Sequence, residues 1–461
     1  MALFLDLPIE LLPLILQHVV KASHLARIAL VNRSFYTFAV PLLYERITIY
    51  PWYRHSKTRV VQLFTTLAEH PDLALFVRRL DIRDFPKALP SFDAHEQLRD
   101  SCVRGIENAS HLRTCTWTRD GSLTSYIIEP LQKCTELSEL EINGNHSGHY
   151  DPASLTKFTS LNKISLIMPS GSVLETLPRW IEATGHSLRT LTLICKASLL
   201  VTDHLLETIS PHLHGLQHLH LAGCPRVTDK GIWAMIRHNA RGLFSLGLEG
   251  LSPVFDMAAF SEGCGRAGGL TSLTSFTLTI HPDHRADVWM SSAVVLLSQS
   301  PLEIFQVYAT SASYHRLLAD RFCMRIVSMH GHRLKRFSFH RLRISLDALE
   351  HMCQTCLRLQ ELFVLVSPAD LNQLGTLLAH APILRTVHIN LTARPTAFNP
   401  EQEALSLVCQ CAPTVIQLGI ETRVWEVARE VISDEDKITT RPVLSAYESP
   451  DVPEQFLVVR A

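Results

Sequence analysis

Apolar residues recur along most of the chain in the order apolar-x-x-apolar-x-apolar, most cleanly as Leu216, Leu219 and Leu221 in the stretch GLQHLHLAGCPRVTDKGI. The same triplet starts at Leu112, Leu137, Leu161, Leu188, Leu243, Leu273, Leu302, Leu334, Leu359, Leu384 and Val415, with a weaker start at Val77. Successive starts lie 24 to 35 residues apart. The last two apolar positions of each triplet, two residues apart, point to one face of a short strand. Between triplets the spacing turns helical, as in Leu205, Leu206 and Ile209, or Ile232, Met235 and Ile236. Each unit therefore predicts a strand, a turn and a helix. One unit cannot bury its own apolar face, whereas a stack can, which predicts a curved solenoid with parallel strands inside and helices outside.

A repeat of this length and pattern resembles leucine-rich repeats. The unit from Leu216 resembles their cysteine-containing class: Cys224 follows the last strand leucine by three residues, and Val227-Thr228-Asp229 comes next. Val201-Thr202-Asp203 repeats that signature one unit earlier, and Cys134 and Cys356 each stand three residues before a strand leucine. Phe158, Leu213, Ala240 and Ala381 replace the cysteine in other units. The fold class that follows is α/β, a leucine-rich-repeat solenoid of about 12–13 units over residues 51–420.

Residues 5–49 break the pattern and read LDLPIELLPLILQHVVKASHLARIALVNRSFYTFAVPLLYERITI. Pro8 suits a first helical turn, where its missing N–H costs nothing, and Glu10 favours the positive helix end. Pro13 predicts a first helix in two pieces, a turn near 8–11 and a main segment from 13 to 20. Ser23 is a candidate N-cap for a second helix, and a third is expected from Arg33 to Ala39, before Pro41. Three short helices bury little, so such a module sits near the lower size limit for folding alone.

Leu7, Pro8, Glu10, Leu11, Ile15, Leu16, Leu25, Val31, Arg33, Phe35, Pro41, Leu42 and Tyr44 each fall on the pattern of an F-box, which this segment (residues 1–50) resembles. The resemblance implies a Skp-family adaptor as partner and, through it, a cullin–RING ubiquitin ligase. It also implies that Leu7, Pro8, Leu11, Ile15, Leu16 and Val31 supply the apolar adaptor contact. The alternative is a helical cap that merely closes the repeat stack.

Composition narrows the partners. With 43 basic and 44 acidic side chains the net charge is −1, and no run of five basic residues occurs, so neither nucleic acid nor an anionic membrane is expected. No stretch is apolar for long enough to span a bilayer, and the apolar N-terminus is broken by Asp6, Glu10 and prolines, unlike a secretory signal. Eleven cysteines, an odd number spread over the chain, fit reduced thiols in a cytoplasmic or nuclear protein.

Enzyme signatures are missing: there is no Gly-x-Ser-x-Gly elbow, P-loop or His-Glu-x-x-His. Cys353-x-x-Cys356 beside His351, His281-x-x-His284, and the pair His218 and His220 each lack the remaining ligands of a metal site. No catalytic residue, metal or cofactor is expected.

A target protein is expected on the strand residues that lie between the apolar ones. The middle units offer small or polar groups, among them Thr190, Thr192, His218, His220, Ser245 and Gly247. Later units offer Tyr308, Arg336, His340, Phe363, Leu365 and His388, a mixture of aromatic, aliphatic and basic groups suited to a binding hot spot. Arg336 with His340 and His388 further suggests acceptance of a phosphorylated ligand.

Two segments, 84–100 and 280–291, read as long loops, and residues 421–461 as a cap and tail, with Trp425, Val427, Ala428 and Val431 in a closing element and a polar, proline-containing stretch after it. The resemblance to F-box proteins with leucine-rich repeats implies the substrate-recognition subunit of an SCF-type (Skp–cullin–F-box) ligase. The alternatives are a ligase-independent interaction scaffold and a small-molecule receptor.

Overall fold

A computed structural model describes residues 8–19, 21–239, 242–281, 285–309, 316–393, 398–434 and 437–447. It forms two compact units, one up to Ile194 and one from Cys195 to Tyr447. Both have the α/β leucine-rich-repeat architecture.

The first unit opens with helices α1 (Leu11–Leu16), α2 (Ala22–Ala29) and α3 (Arg33–Glu45). Pro13 does not split α1. It is the third helical residue, where an N–H has no intrahelical partner in any case. The N-cap of α2 is Lys21 rather than Ser23. Asn32 caps α3, its side-chain oxygen accepting from the Phe35 N–H at 3.0 Å. This helix runs through Pro41 instead of stopping before it; Ala39 and Val40 on that turn are buried, and their packing holds the helix across the missing hydrogen bond.

Strand β1 (Arg46–Ile49) follows α3 with no intervening residue. It pairs in parallel with β2 (Arg79–Ile82), and the ladder continues in chain order through β3 (Thr114–Trp117), β4 (Glu139–Asn143), β5 (Lys163–Ile167) and β6 (Thr190–Ile194). The residue after each triplet start carries the register. Arg113 N–H donates to Arg78 C=O, Ser138 to Arg113, Asn162 to Ser138 and Arg189 to Asn162. The segment 84–100 is only partly a loop, because Ser91 caps a helix over Phe92–Asn108.

In the second unit, β7 (His218–Ala222), β8 (Ser245–Glu249), β9 (Ser275–Ile280), β10 (Ile304–Ala309), β11 (Arg336–Arg343), β12 (Glu361–Val366), β13 (Thr386–Leu391) and β14 (Gln417–Ile420) pair in parallel and in order. Leu216, Leu219 and Leu221 are fully buried, as are their counterparts in the following repeats, for example Leu334, Phe337 and Phe339. Residues 286–291, expected in a loop, belong to the helix Ala286–Leu297, with Trp289 and Met290 buried.

Two antiparallel strands, β15 (Arg423–Asp434) and β16 (Lys437–Ala446), end this unit. Trp425 and Val427 are buried in β15. The stretch around Ile438–Ala446 is thus a strand and not a loop. Its β-branched residues favour extension, and Pro442 is tolerated because β16 is the edge, where one side needs no donor.

The two Val-Thr-Asp signatures tie consecutive repeats together. Thr202 caps the helix Asp203–Ile209, and Thr228 caps Asp229–Arg237. Asp203 then reaches into the next repeat: Oδ1 accepts from the Thr228 and Gly231 N–H groups at 2.8 and 3.2 Å, and Oδ2 from the Thr228 hydroxyl at 2.6 Å. Asp229 repeats the contact one unit later, accepting from the Asp256 N–H. Hydrogen bonds to a charged group are each worth about 1.5–3 kcal/mol. Replacing Asp203 with alanine is therefore expected to destabilise the second unit by about 2–4 kcal/mol, measured as a lower urea midpoint; an unchanged midpoint would remove this explanation of the motif.

Candidate functional site

On α1 the apolar side chains divide between two faces. Leu12 and Leu16, one turn apart, are buried against Leu25 and Ala39, with Val19, Ile28, Phe35, Phe38, Leu42 and Leu43 packed around them. Leu11, Leu14 and Ile15 fall on the opposite face and remain 40%, 55% and 41% exposed. Pro8, one turn earlier, is exposed as well.

Of the six residues expected at the adaptor contact, Pro8, Leu11, Ile15 and Val31 lie at the surface. Leu16 does not: at 2% exposure it belongs to the module's own core, because the helical period sets it with Leu12 and away from Ile15. Leu7 lies outside the described residues. Ile9, Leu14, Leu30 and Tyr36 are large exposed apolar groups that the motif comparison passed over. For Leu14 the signal was available, since Leu11, Leu14 and Ile15 have the i, i+3, i+4 spacing of one helix face. Several large apolar side chains of this small module thus stand at the surface.

The strand face of the first unit is polar and partly paired within itself. Asp81, 1% exposed, accepts from Arg79 Nε at 2.8 Å and from the Thr48 hydroxyl at 3.3 Å, and Arg83 pairs with Glu141 at 3.0 Å.

In the second unit the six expected target-binding residues separate into three situations. Tyr308 and His340, aligned on β10 and β11, stack with ring centroids 4.4 Å apart and planes 7° from parallel. Both are half-buried, as is Leu365. The ladder of rings continues through Phe363, 5.9 Å from His340, to His388, 5.9 Å from Phe363. Phe363 and His388 are only 1% and 3% exposed, so they support the ladder from within rather than face a partner. The burial of His388 has a local cause: Gly419 lacks the Cβ that would collide with the imidazole, and the ring lies in that notch.

Arg336, the third case, is bound to Glu361 at 2.6 Å. Burial lowers His340 and His388 to about 4, for His340 with the second imidazole's repulsion added, so both rings are neutral at physiological pH. The expected phosphate site of Arg336, His340 and His388 is therefore not assembled: its arginine is already neutralised and its imidazoles carry no charge.

The remaining candidates read structurally. Cys353 and Cys356 are fully buried, and burial pushes both thiols up to about 12. Cys134 is buried too, its thiol directed at the carbonyls of Pro130, Ile106 and Ala109. His220 pairs with Glu249 at 2.7 Å, and His284 lies outside the described residues. Among the described residues no group of three or more metal-capable side chains occurs, and no helix is long and apolar enough to cross a membrane. A cavity lined by Leu248, Phe255, Met257 and Trp289 holds about 20 Å³, room for a single water, and a second, between Arg99, Arg104, Glu107, Glu129 and Lys133, holds about 360 Å³ among charged side chains.

Comparison with known proteins agrees with the N-terminal geometry. A family model described as the COS11 F-box domain matches residues 4–85. A search of curated proteins found no match. Among solved structures, a chain of the yeast Rad7 and Elc1 complex is similar over 75% of this chain and 86% of its own, at 13% identity and a TM-score of 0.41. Residues 4–85 thus match an F-box domain, and strand–helix units of leucine-rich-repeat architecture follow it along the chain.

Proposed function

We propose that the chain is the substrate-recognition subunit of an SCF-type ubiquitin ligase. Residues 1–50 dock on a Skp-family adaptor and so on a cullin–RING ligase, residues 51–420 present a target protein, and 421–461 close the stack. The chain itself performs no bond chemistry. The observation that carries this reading is the outward face of α1, where Leu11, Leu14 and Ile15 stay exposed within an F-box domain although the module has a core available to it. A half-buried edge made of Tyr308, His340 and Leu365 supports target binding on the second unit, since aromatic and aliphatic groups on a rigid strand ladder lose little entropy on contact.

One observation favours a second reading. Helix α3 runs directly into β1, and Arg78 N–H donates to Glu45 C=O, so the module also closes the first strand pair as a cap. A ligase-independent scaffold would need no more. The readings part in cells: proteins that accumulate when the gene is removed should accumulate equally when only a Leu11→Asp/Ile15→Asp variant is present. Normal levels of those proteins with the variant would leave the scaffold standing.

A further inference from the structure

Strand β11 departs from the regular ladder beside the Tyr308–His340 stack. Ser338 is aligned with Phe363 and Arg343 with Leu365, so five steps along β11 span two along β12 and three residues bulge out. At the bulge Arg341 has φ +58°, a left-handed conformation that a side chain with a Cβ rarely adopts. Positive φ recurs directly after other strands, at Met168, Gly223, Gly250 and Glu421, so Arg341 occupies the turn that follows five strand residues, and β11 resumes beyond it.

The charges around the bulge are already spoken for, with one exception. Arg336 is paired with Glu361, Arg343 with Asp370 at 3.4 Å, and Lys335 with Glu303 at 2.7 Å. Arg341 is exposed and has no hydrogen bond or ion pair among the described residues. The neighbouring imidazoles do not compete for an anion, and Glu249, the carboxylate two strands away that bears on Tyr308, is held by His220.

We infer that Arg341 is a specificity residue that receives a single aspartate or glutamate side chain of a target segment laid along the Tyr308–His340–Leu365 edge. One unpaired guanidinium offers a planar fork that fits one carboxylate. A phosphoryl dianion calls for a second cation, and the flanking arginines are both neutralised. The inference rests on the proposed role of this strand face in target binding, and it gives the β11 bulge a purpose: the turn-out lifts one arginine clear of the acids that bind its neighbours.

The test uses the full-length chain and immobilised pools of short peptides, random at every position but one, which is fixed in turn as aspartate, glutamate, phosphoserine, lysine or alanine. Wild type is expected to retain the aspartate and glutamate pools roughly fivefold or more over alanine. Arg341→Gly should lose that preference without a lower Tm, because glycine is at ease at positive φ, and Arg341→Glu should turn the preference to lysine. An acidic preference that survives in the glycine variant, or a wild-type preference for phosphoserine over the carboxylates, overturns the assignment of Arg341 alone. Wild-type retention no better than that of a Tyr308→Ala/Leu365→Asp variant overturns the strand-face reading, and Arg341 with it.

Discussion

A Leu11→Asp/Ile15→Asp variant is expected to lose binding to a Skp-family adaptor by about a hundredfold or more while its fold is unchanged. Both side chains are about two-fifths exposed and make no part of the module's core. Truncating them would forfeit only the surface still open, about 1 kcal/mol each from the value of a fully buried leucine or isoleucine. Aspartate goes further, because it carries an unpaired charge into an apolar contact, which costs several kcal/mol unless the interface yields. Leu16→Ala is the informative control. Leu16 is buried under α1, so its loss leaves a cavity and should cost about 2–5 kcal/mol of module stability. Its effect on adaptor binding should then follow unfolding, seen by circular dichroism, and not contact. A Leu11→Asp/Ile15→Asp variant that unfolds the module as Leu16→Ala does would show that the two faces of α1 had been wrongly separated.

Acid is expected to destabilise the second unit well before its carboxylates titrate. His340 and His388 are neutral in the folded state, with pKa values lowered to about 4 chiefly by burial. In the unfolded chain an imidazole titrates near 6.5. Between pH 6.5 and 4 the unfolded state therefore binds more protons than the folded one, and stability rises with pH across that window. Falling pH removes it again, by up to about 3 kcal/mol for each of the two histidines. His330, also buried and lowered to about 4, adds in the same direction. The urea midpoint followed from pH 7 to pH 4 should fall steadily, and His388→Gln should flatten the curve by removing one titrating group. A midpoint constant from pH 6.5 to 4.5 would mean that the ring ladder is open to water and its histidines are ordinary.

The repeat register was legible because it depends on a short local rule. Every triplet start from Val77 to Val415 stands just before a parallel strand, since the rule is nothing more than which side chains alternate inward. What escaped depended on contacts between distant residues. Pro41 read as a helix stop, yet Ala39 and Val40 are packed well enough to carry α3 past it. The sequence after Ile432 read as a polar tail because the pairing of β16 with β15 has no signature of its own.

The candidate surfaces show the same division. Among the residues between the strand leucines, Tyr308, His340, Phe363 and His388 form one ladder of rings. Which of the four stay accessible could not be read, for the answer lies in a glycine one strand away, Gly419, and in acids such as Glu361 and Asp370 that neutralise particular arginines. Arg341 carries no motif of its own, and only the bulge of β11 sets it apart from the paired arginines beside it.

The most direct test of the central claim is a calorimetric titration of the full-length chain with a purified Skp-family adaptor at several temperatures. Docking through the exposed face of α1 predicts one-to-one binding with Kd below about 1 μM and an enthalpy that grows more exothermic with temperature, the mark of apolar surface leaving water. A titration without saturable heat at any of those temperatures, from protein that is folded and monodisperse, would contradict the account and leave residues 1–50 as a cap on the repeats.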